Sequence, residues 1–156
     1  MSTHAELITL LDKSRALMQE LVNATTEKTQ IYPPWTMKHL LAHLSGWDDA
    51  SADSLRALAE GREPATPAIR GIDHYNAESV ATREELPFDR IVHEWELARE
   101  QFKAAIQAVP AAKLDAPWLM PWARTGSAAT IVHIMAEHEE EHVHEIQEMR
   151  KQGTVK

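Results

Sequence analysis

Three histidines fall within seven positions of the stretch "EHEEEHVHEI", Glu137 to Ile146, among five glutamates. His138 and His142 lie one helical turn apart, about 6 Å on one face, a spacing from which two imidazoles can reach one divalent ion. Both continue a stripe of Ile131, Ile134 and Met135 that resumes at Ile146 and Met149, so the periodicity predicts that they point inward. An unpaired imidazole inside a core costs on the order of 1–3 kcal/mol, and a shared metal would partner both rings at once. Spacing alone leaves the rival reading open, in which these are core histidines satisfied by hydrogen bonds. His43, in "HLLAHLSGW", makes a third ligand plausible: it lies three residues after Leu40 and four before Trp47, at the border of another helix's apolar face.

The remaining histidines fit the pattern less well. His144 is two positions from His142, about 200° around the helix, and is expected to face away. His133 also points in another direction, His39 is expected to be exposed, and His4, His74 and His93 read as surface residues. Glu139 and Glu141 are the candidate catalytic carboxylates, able to orient ligands or move protons, although a solvated helix face is their commoner role. Residues 138–142, "HEEEH", also match the H-E-x-x-H and H-x-x-E-H protease signatures. Glu145 and Glu148 stand where a metzincin needs glycine and histidine, and 14 residues follow His142, too few for a distant glutamate ligand. A di-iron site needs Glu-x-x-His on two helices, whereas Glu139–His142 and Glu141–His144 share one.

Composition narrows the partners. The chain has 156 residues, suited to one domain spanning 1–156, with ordinary hydrophobic and charged fractions. It has no cysteine, so any metal must be held by imidazole, carboxylate or water. The net charge of -8 argues against nucleic acid and anionic membrane as partners. No run approaches the roughly 20 apolar residues of a membrane span and the N-terminus lacks a signal-peptide pattern, which gives a cytoplasmic expectation.

The elements that must position these residues read as helices. The first, about 3–24, carries Leu7, Leu10, Leu11, Leu17, Met18, Leu21 and Val22; the second runs from about Thr36 to Glu60, and Gly61 closes it. "GREPATPAI" opens a long connection with an accessory helix near 72–84. The third long helix, about 88–109, presents Ile91, Trp95, Phe102 and Ile106, and the fourth starts at Ser127 and runs to about Lys151. With no convincing strand, the expectation is an all-α, up-down four-helix bundle with a long connection and accessory helix between helices two and three. The doubled apolar positions Leu10–Leu11 and Leu21–Val22 suggest an outward strip and a homodimer. Trp35, Trp47, Trp118 and Trp122, near helix ends or in the loop before the fourth helix, are candidates for a small-molecule pocket mouth, against core or loop packing.

The motifs "WTMKHLLAHLSGWDD" and "IVHIMAEHEEEHVHEI", in this order of helices, resemble the DinB/YfiT-like superfamily of bacterial four-helix-bundle metalloproteins, and "HYNAESV" in the connection resembles its DinB-like or ClbS/DfsB-like members. The resemblance implies a metal triad at His43, His138 and His142 holding nickel or zinc. It implies two functional classes. One is a metal-dependent S-transferase or hydrolase acting on a small electrophile, with a low-molecular-weight thiol as cosubstrate. The other is a non-catalytic protein that binds or sequesters a small molecule, as in self-resistance. The catalytic reading places water or a substrate thiol at the ion's open position, while Trp35, Trp47, Trp118 and Trp122 motivate the second.

Overall fold

The computed structural model describes residues 1–153. Five helices make up the body: α1 (His4–Asn23), α2 (Met37–Glu60), α3 (Ile72–Ala81), α4 (Phe88–Ala108) and α5 (Ala128–Lys151). The sequence expectation of an all-α bundle holds. Two short antiparallel pairs were not expected: β1 (Gln30–Tyr32) with β2 (Trp35–Thr36), and β3 (Trp118–Leu119) with β4 (Thr125–Gly126). Two- and three-residue strands interrupted by prolines carry no two-residue alternation that could announce them. Among the described residues, no helix is long and apolar enough to cross a membrane.

Local chemistry sets the helix starts. Thr3 and Glu6 form a reciprocal capping box on α1. Ser127 Oγ accepts from the Thr130 amide at 3.0 Å to open α5, and Gly61, at φ 69°, closes α2 in the left-handed conformation. At α2 the backbone N–H of Thr36 donates to His39 Nδ1 at 3.0 Å, so His39 is a half-buried capping residue rather than an exposed one.

The core divides into two clusters. One gathers Leu7 and Leu11 of α1, Leu55 and Leu58 of α2, Phe102 and Ile106 of α4, and Ile131, Val132 and Met135 of α5. The other gathers Met18 and Leu21, Leu40 and Leu44, Ile91 and Trp95, and Val143 and Ile146. Each such side chain contributes roughly 1.5–3 kcal/mol when buried. The assignment of helix ends to clusters gives the directions: α1 and α5 run one way, α2 and α4 the other. The up-down succession therefore holds within α1–α2 and α4–α5, while the long connection carries the chain back so that α2 and α4 run in the same direction.

Between the clusters lies a layer of charge. Arg99 of α4 donates to both Asp48 oxygens at 2.9 and 3.2 Å and to Glu139 Oε1 at 3.2 Å. Arg15 of α1 reaches Asp48 at 3.1 Å and Glu139 at 3.2 Å, and its guanidinium lies 3.9 Å over the Trp95 ring. Ser14 adds a hydrogen bond to Glu139 at 3.1 Å. Two cations and two anions thus join all four long helices, and Asp48, Arg99 and Glu139 are buried. Burial works against the charge on Arg99, yet Asp48 and Glu139 outweigh it and raise its pKa.

The apolar pairs on α1 are taken up by this interior. Leu11, Leu21 and Val22 are buried and Leu10 is half-buried, so the width of the stripe is explained within one chain and no longer points to a homodimer.

Candidate metal centre

On α5 the buried stripe is centred on Met135, Glu139, Val143 and Ile146, and His138 and His142 flank it, half-buried, on the side facing α2. His43 projects from α2 opposite them and is buried. The three Nε2 atoms converge: His43 to His138 is 3.1 Å, His43 to His142 is 3.3 Å, and His138 to His142 is 3.0 Å. The structure thereby brings together the three histidines singled out from sequence, while His133 and His144 are exposed.

Whether this set fits a metal can be judged from the nitrogens themselves. Donors held by one first-row ion at about 2.0–2.1 Å, at octahedral or tetrahedral angles, stand about 2.9–3.4 Å from one another; the observed triangle falls within that span. Burial lowers the pKa of all three rings, that of His43 to about 3 and that of His142 to about 4; charge on neighbouring rings adds to the effect at His43 and His142, while the carboxylates around His138 oppose it without reversing it. At neutral pH the rings are uncharged, the form that ligates. Three uncharged imidazoles with converging Nε2 atoms cannot all donate to one another, so the group could hold a metal ion.

The surroundings come from three elements. From the β1–β2 hairpin, Tyr32 Oη lies 2.8 Å from His142 Nδ1 and 2.6 Å from Glu145 Oε2, and the Trp35 ring lies 5.3 Å from that of His43, tilted. Burial, reinforced by Glu145, raises the Tyr32 hydroxyl pKa. From the connection, α3 docks on α2 at Gly46: a Cβ there would sit 2.6 Å from Ser79 Cβ, and Tyr75 Oη donates to the Gly46 carbonyl at 2.6 Å. That close approach places Asn76 where its side-chain oxygen accepts from Trp47 Nε1 at 2.8 Å. The loop before α5 contributes Trp122, edge-on to Trp47 at 5.9 Å.

Residues of α2, α3, α5 and the loop before α5 line a cleft of about 320 Å³: His43 and His138, Trp47 and Trp122, Asn76, the apolar Ile72, Ile134 and Met135, and the carboxylates Glu137 and Glu141. Of the four tryptophans expected at a pocket mouth, Trp47 and Trp122 line it. Trp35 lies against His43 and borders a neighbouring groove, and Trp118 is elsewhere, its Nε1 donating to Ser54 Oγ at 2.9 Å. Of the two candidate carboxylates, Glu141 borders the cleft. Glu139 does not: one position from His138 it is turned roughly 100° away, into the charge layer, where Arg15, Arg99 and Ser14 occupy its oxygens.

Sequence reasoning missed Tyr32, Asn76 and the partners of Glu139. Tyr32 is 110 positions from His142 and Asn76 lies on a weakly amphipathic helix, so neither carried a local signal. Arg99 did carry one, as a charged residue on the apolar stripe between Trp95 and Phe102.

Comparison with known proteins agrees with this architecture. Residues 7–147 match the family of the mycothiol maleylpyruvate isomerase N-terminal domain. The chain belongs to that family. This membership bears out the DinB/YfiT-like resemblance. No curated protein sequence matches this member of the family. The crystal structure of the mycothiol-dependent maleylpyruvate isomerase superimposes with a TM-score of 0.77 at 16% identity, covering 93% of this chain and 61% of the isomerase. This chain therefore spans less than two thirds of that protein's length. The colibactin self-resistance protein ClbS, crystallised in complex with dsDNA, gives a TM-score of 0.78 at 16% identity with 97% of each chain covered. An uncharacterised protein from Escherichia coli UTI89 gives 0.77 at 15% identity, covering 100% of this chain and 97% of its own.

One expectation is corrected here. Net charge was read as excluding nucleic acid, yet a protein of this fold is crystallised on dsDNA. A net charge averages over the whole surface and says nothing about one local face, so the exclusion does not stand.

Proposed function

We propose that this DinB-like chain is a cytoplasmic metal-dependent enzyme of the thiol S-transferase or hydrolase type, acting on a small electrophile, with His43, His138 and His142 holding nickel or zinc. The observation that carries the reading is the convergence of three imidazole Nε2 atoms, 3.0–3.3 Å apart, beside a cleft open to small molecules. When bound, such an ion supplies Lewis acidity that turns a water or thiol into a nucleophile at neutral pH.

The chain's own residues do the rest. Trp47, Trp122, Ile72, Ile134 and Met135 hold an apolar substrate body and keep bulk water off it. Glu141, which lines the cleft from α5, is the proposed acceptor of the proton released by an arriving thiol or water. The lining holds two carboxylates and no lysine or arginine, which favours a neutral or cationic small molecule over an anionic one. A low-molecular-weight thiol is the proposed cosubstrate, in line with the mycothiol dependence of the isomerase neighbour.

The test is turnover. Nickel- or zinc-loaded protein, given a small electrophile and a thiol, should form product catalytically, and His43→Ala should not. A second reading has its own support: the chain matches ClbS, a self-resistance protein, over nearly all of both lengths. Stoichiometric capture of the electrophile, unchanged by metal, would favour that sequestering role and remove the catalytic one.

A further inference from the structure

The histidine triad is asymmetric in what lies behind its rings. His43 Nδ1 is buried without a hydrogen-bond partner, whereas His142 Nδ1 is 2.8 Å from the Tyr32 hydroxyl, which is itself 2.6 Å from Glu145 Oε2. We propose that Tyr32, oriented by Glu145, is a positioning residue that fixes His142 in the Nδ1–H tautomer and so presents its Nε2 lone pair to the triad. This inference rests on the metal-site reading above.

Counting hydrogens gives the argument. A phenol carries one hydrogen and a carboxylate carries none. The contact with Glu145 therefore consumes the Tyr32 hydrogen, because two oxygens 2.6 Å apart with nothing between them would repel. The remaining contact at 2.8 Å then needs its hydrogen from His142 Nδ1. A neutral imidazole that carries its hydrogen on Nδ1 has none on Nε2, so the atom facing His43 and His138 is a bare acceptor.

The opposite tautomer would put a hydrogen where a metal has to bind. Tyr32 supplies this bias from the hairpin, an element with no ligand of its own, whose Ile31 is anchored in the core. Partners of this kind behind a metal-bound histidine typically change affinity by 10- to 100-fold.

The experiment uses the full untagged chain with Tyr32→Phe and Glu145→Ala variants. Nitrogen-15 NMR of the metal-free protein reads the His142 tautomer, and competition with a chromogenic chelator reads zinc affinity. The expected result is Nδ1–H in the wild type, loss of that preference in both variants, and zinc affinity lowered about 10- to 100-fold in Tyr32→Phe. A role confined to packing the hairpin would lower thermal stability without moving the tautomer. Nε2–H in the wild type, or unchanged zinc affinity in Tyr32→Phe, would overturn the proposal. A wild type that shows the Nδ1–H tautomer but binds no zinc would leave the positioning of His142 intact and instead remove the metal reading.

Discussion

Glu139 and His138 are neighbours on α5, yet they belong to two polar clusters that answer the cost of burial in opposite ways. On one side, Glu139 and Asp48 face Arg15 and Arg99, and each carboxylate is met by guanidinium groups at 2.9–3.4 Å. On the other, three imidazoles bring nitrogens of one kind together, with the back of His43 left unpartnered. The first cluster is complete within the chain. The second could hold a cation from outside, and on the proposed reading stability belongs to the first and chemistry to the second.

The largest expected effect breaks the complete cluster. Replacing Arg99 with alanine leaves Asp48 and Glu139 short of their buried countercharge and should cost about 3–5 kcal/mol in denaturant unfolding. His43→Ala in the metal-free protein should cost about 1 kcal/mol or less, since it removes a ring that had no full set of partners. If the two variants lost equal stability, the division of roles would fail.

Next in size is the effect of the ion itself. Zinc at 100 times its dissociation constant should stabilise the wild type by about 2.7 kcal/mol, seen as a rise in Tm that a chelator reverses. Arg99→Ala, if still folded, should retain this increment, and His138→Ala should lose it.

A smaller effect tests the wall between the clusters and solvent. Gly46→Ala drives a Cβ into Ser79 and should destabilise by about 1–3 kcal/mol while leaving metal content alone. Adding Ser79→Gly should recover much of that loss. Loss of metal in Gly46→Ala would mean that α3 holds the triad as well as the cleft.

The smallest effect concerns charge in the cleft. With a cobalt-substituted site, the thiolate absorption band should form at several-fold lower cysteamine than mercaptoacetate, a preference that Glu137→Gln with Glu141→Gln abolishes and that salt weakens. Equal affinity of the two thiols would remove the carboxylates as a source of selectivity.

How much of this could be read from the sequence follows from which signals are local. Helical periodicity, with Gly61 closing the second long helix and Ser127 opening the fourth, is written within a few residues, so the long helices were legible. His138 and His142 were legible through their one-turn spacing, and His43 through its place beside Leu40 and Trp47. The inward face of α5 lay one position further on than the apolar pattern suggested, because Glu139, a charged residue, occupies its centre. That substitution of charge for an apolar group is affordable only with Arg15 and Arg99, which come from two other helices. Tyr32 and Asn76 were hidden for the same reason: their partners are brought to them by the tertiary fold alone.

The central claim, that His43, His138 and His142 form one ion site, is tested most directly by metal content. Mass spectrometry of protein purified without an affinity tag should find about one first-row metal per chain in the wild type and in His144→Ala, and almost none in His138→Ala, with circular dichroism unchanged in all three. A wild type that is free of metal and ignores added zinc and nickel, or a His144→Ala that loses metal while His138→Ala keeps it, would contradict the account.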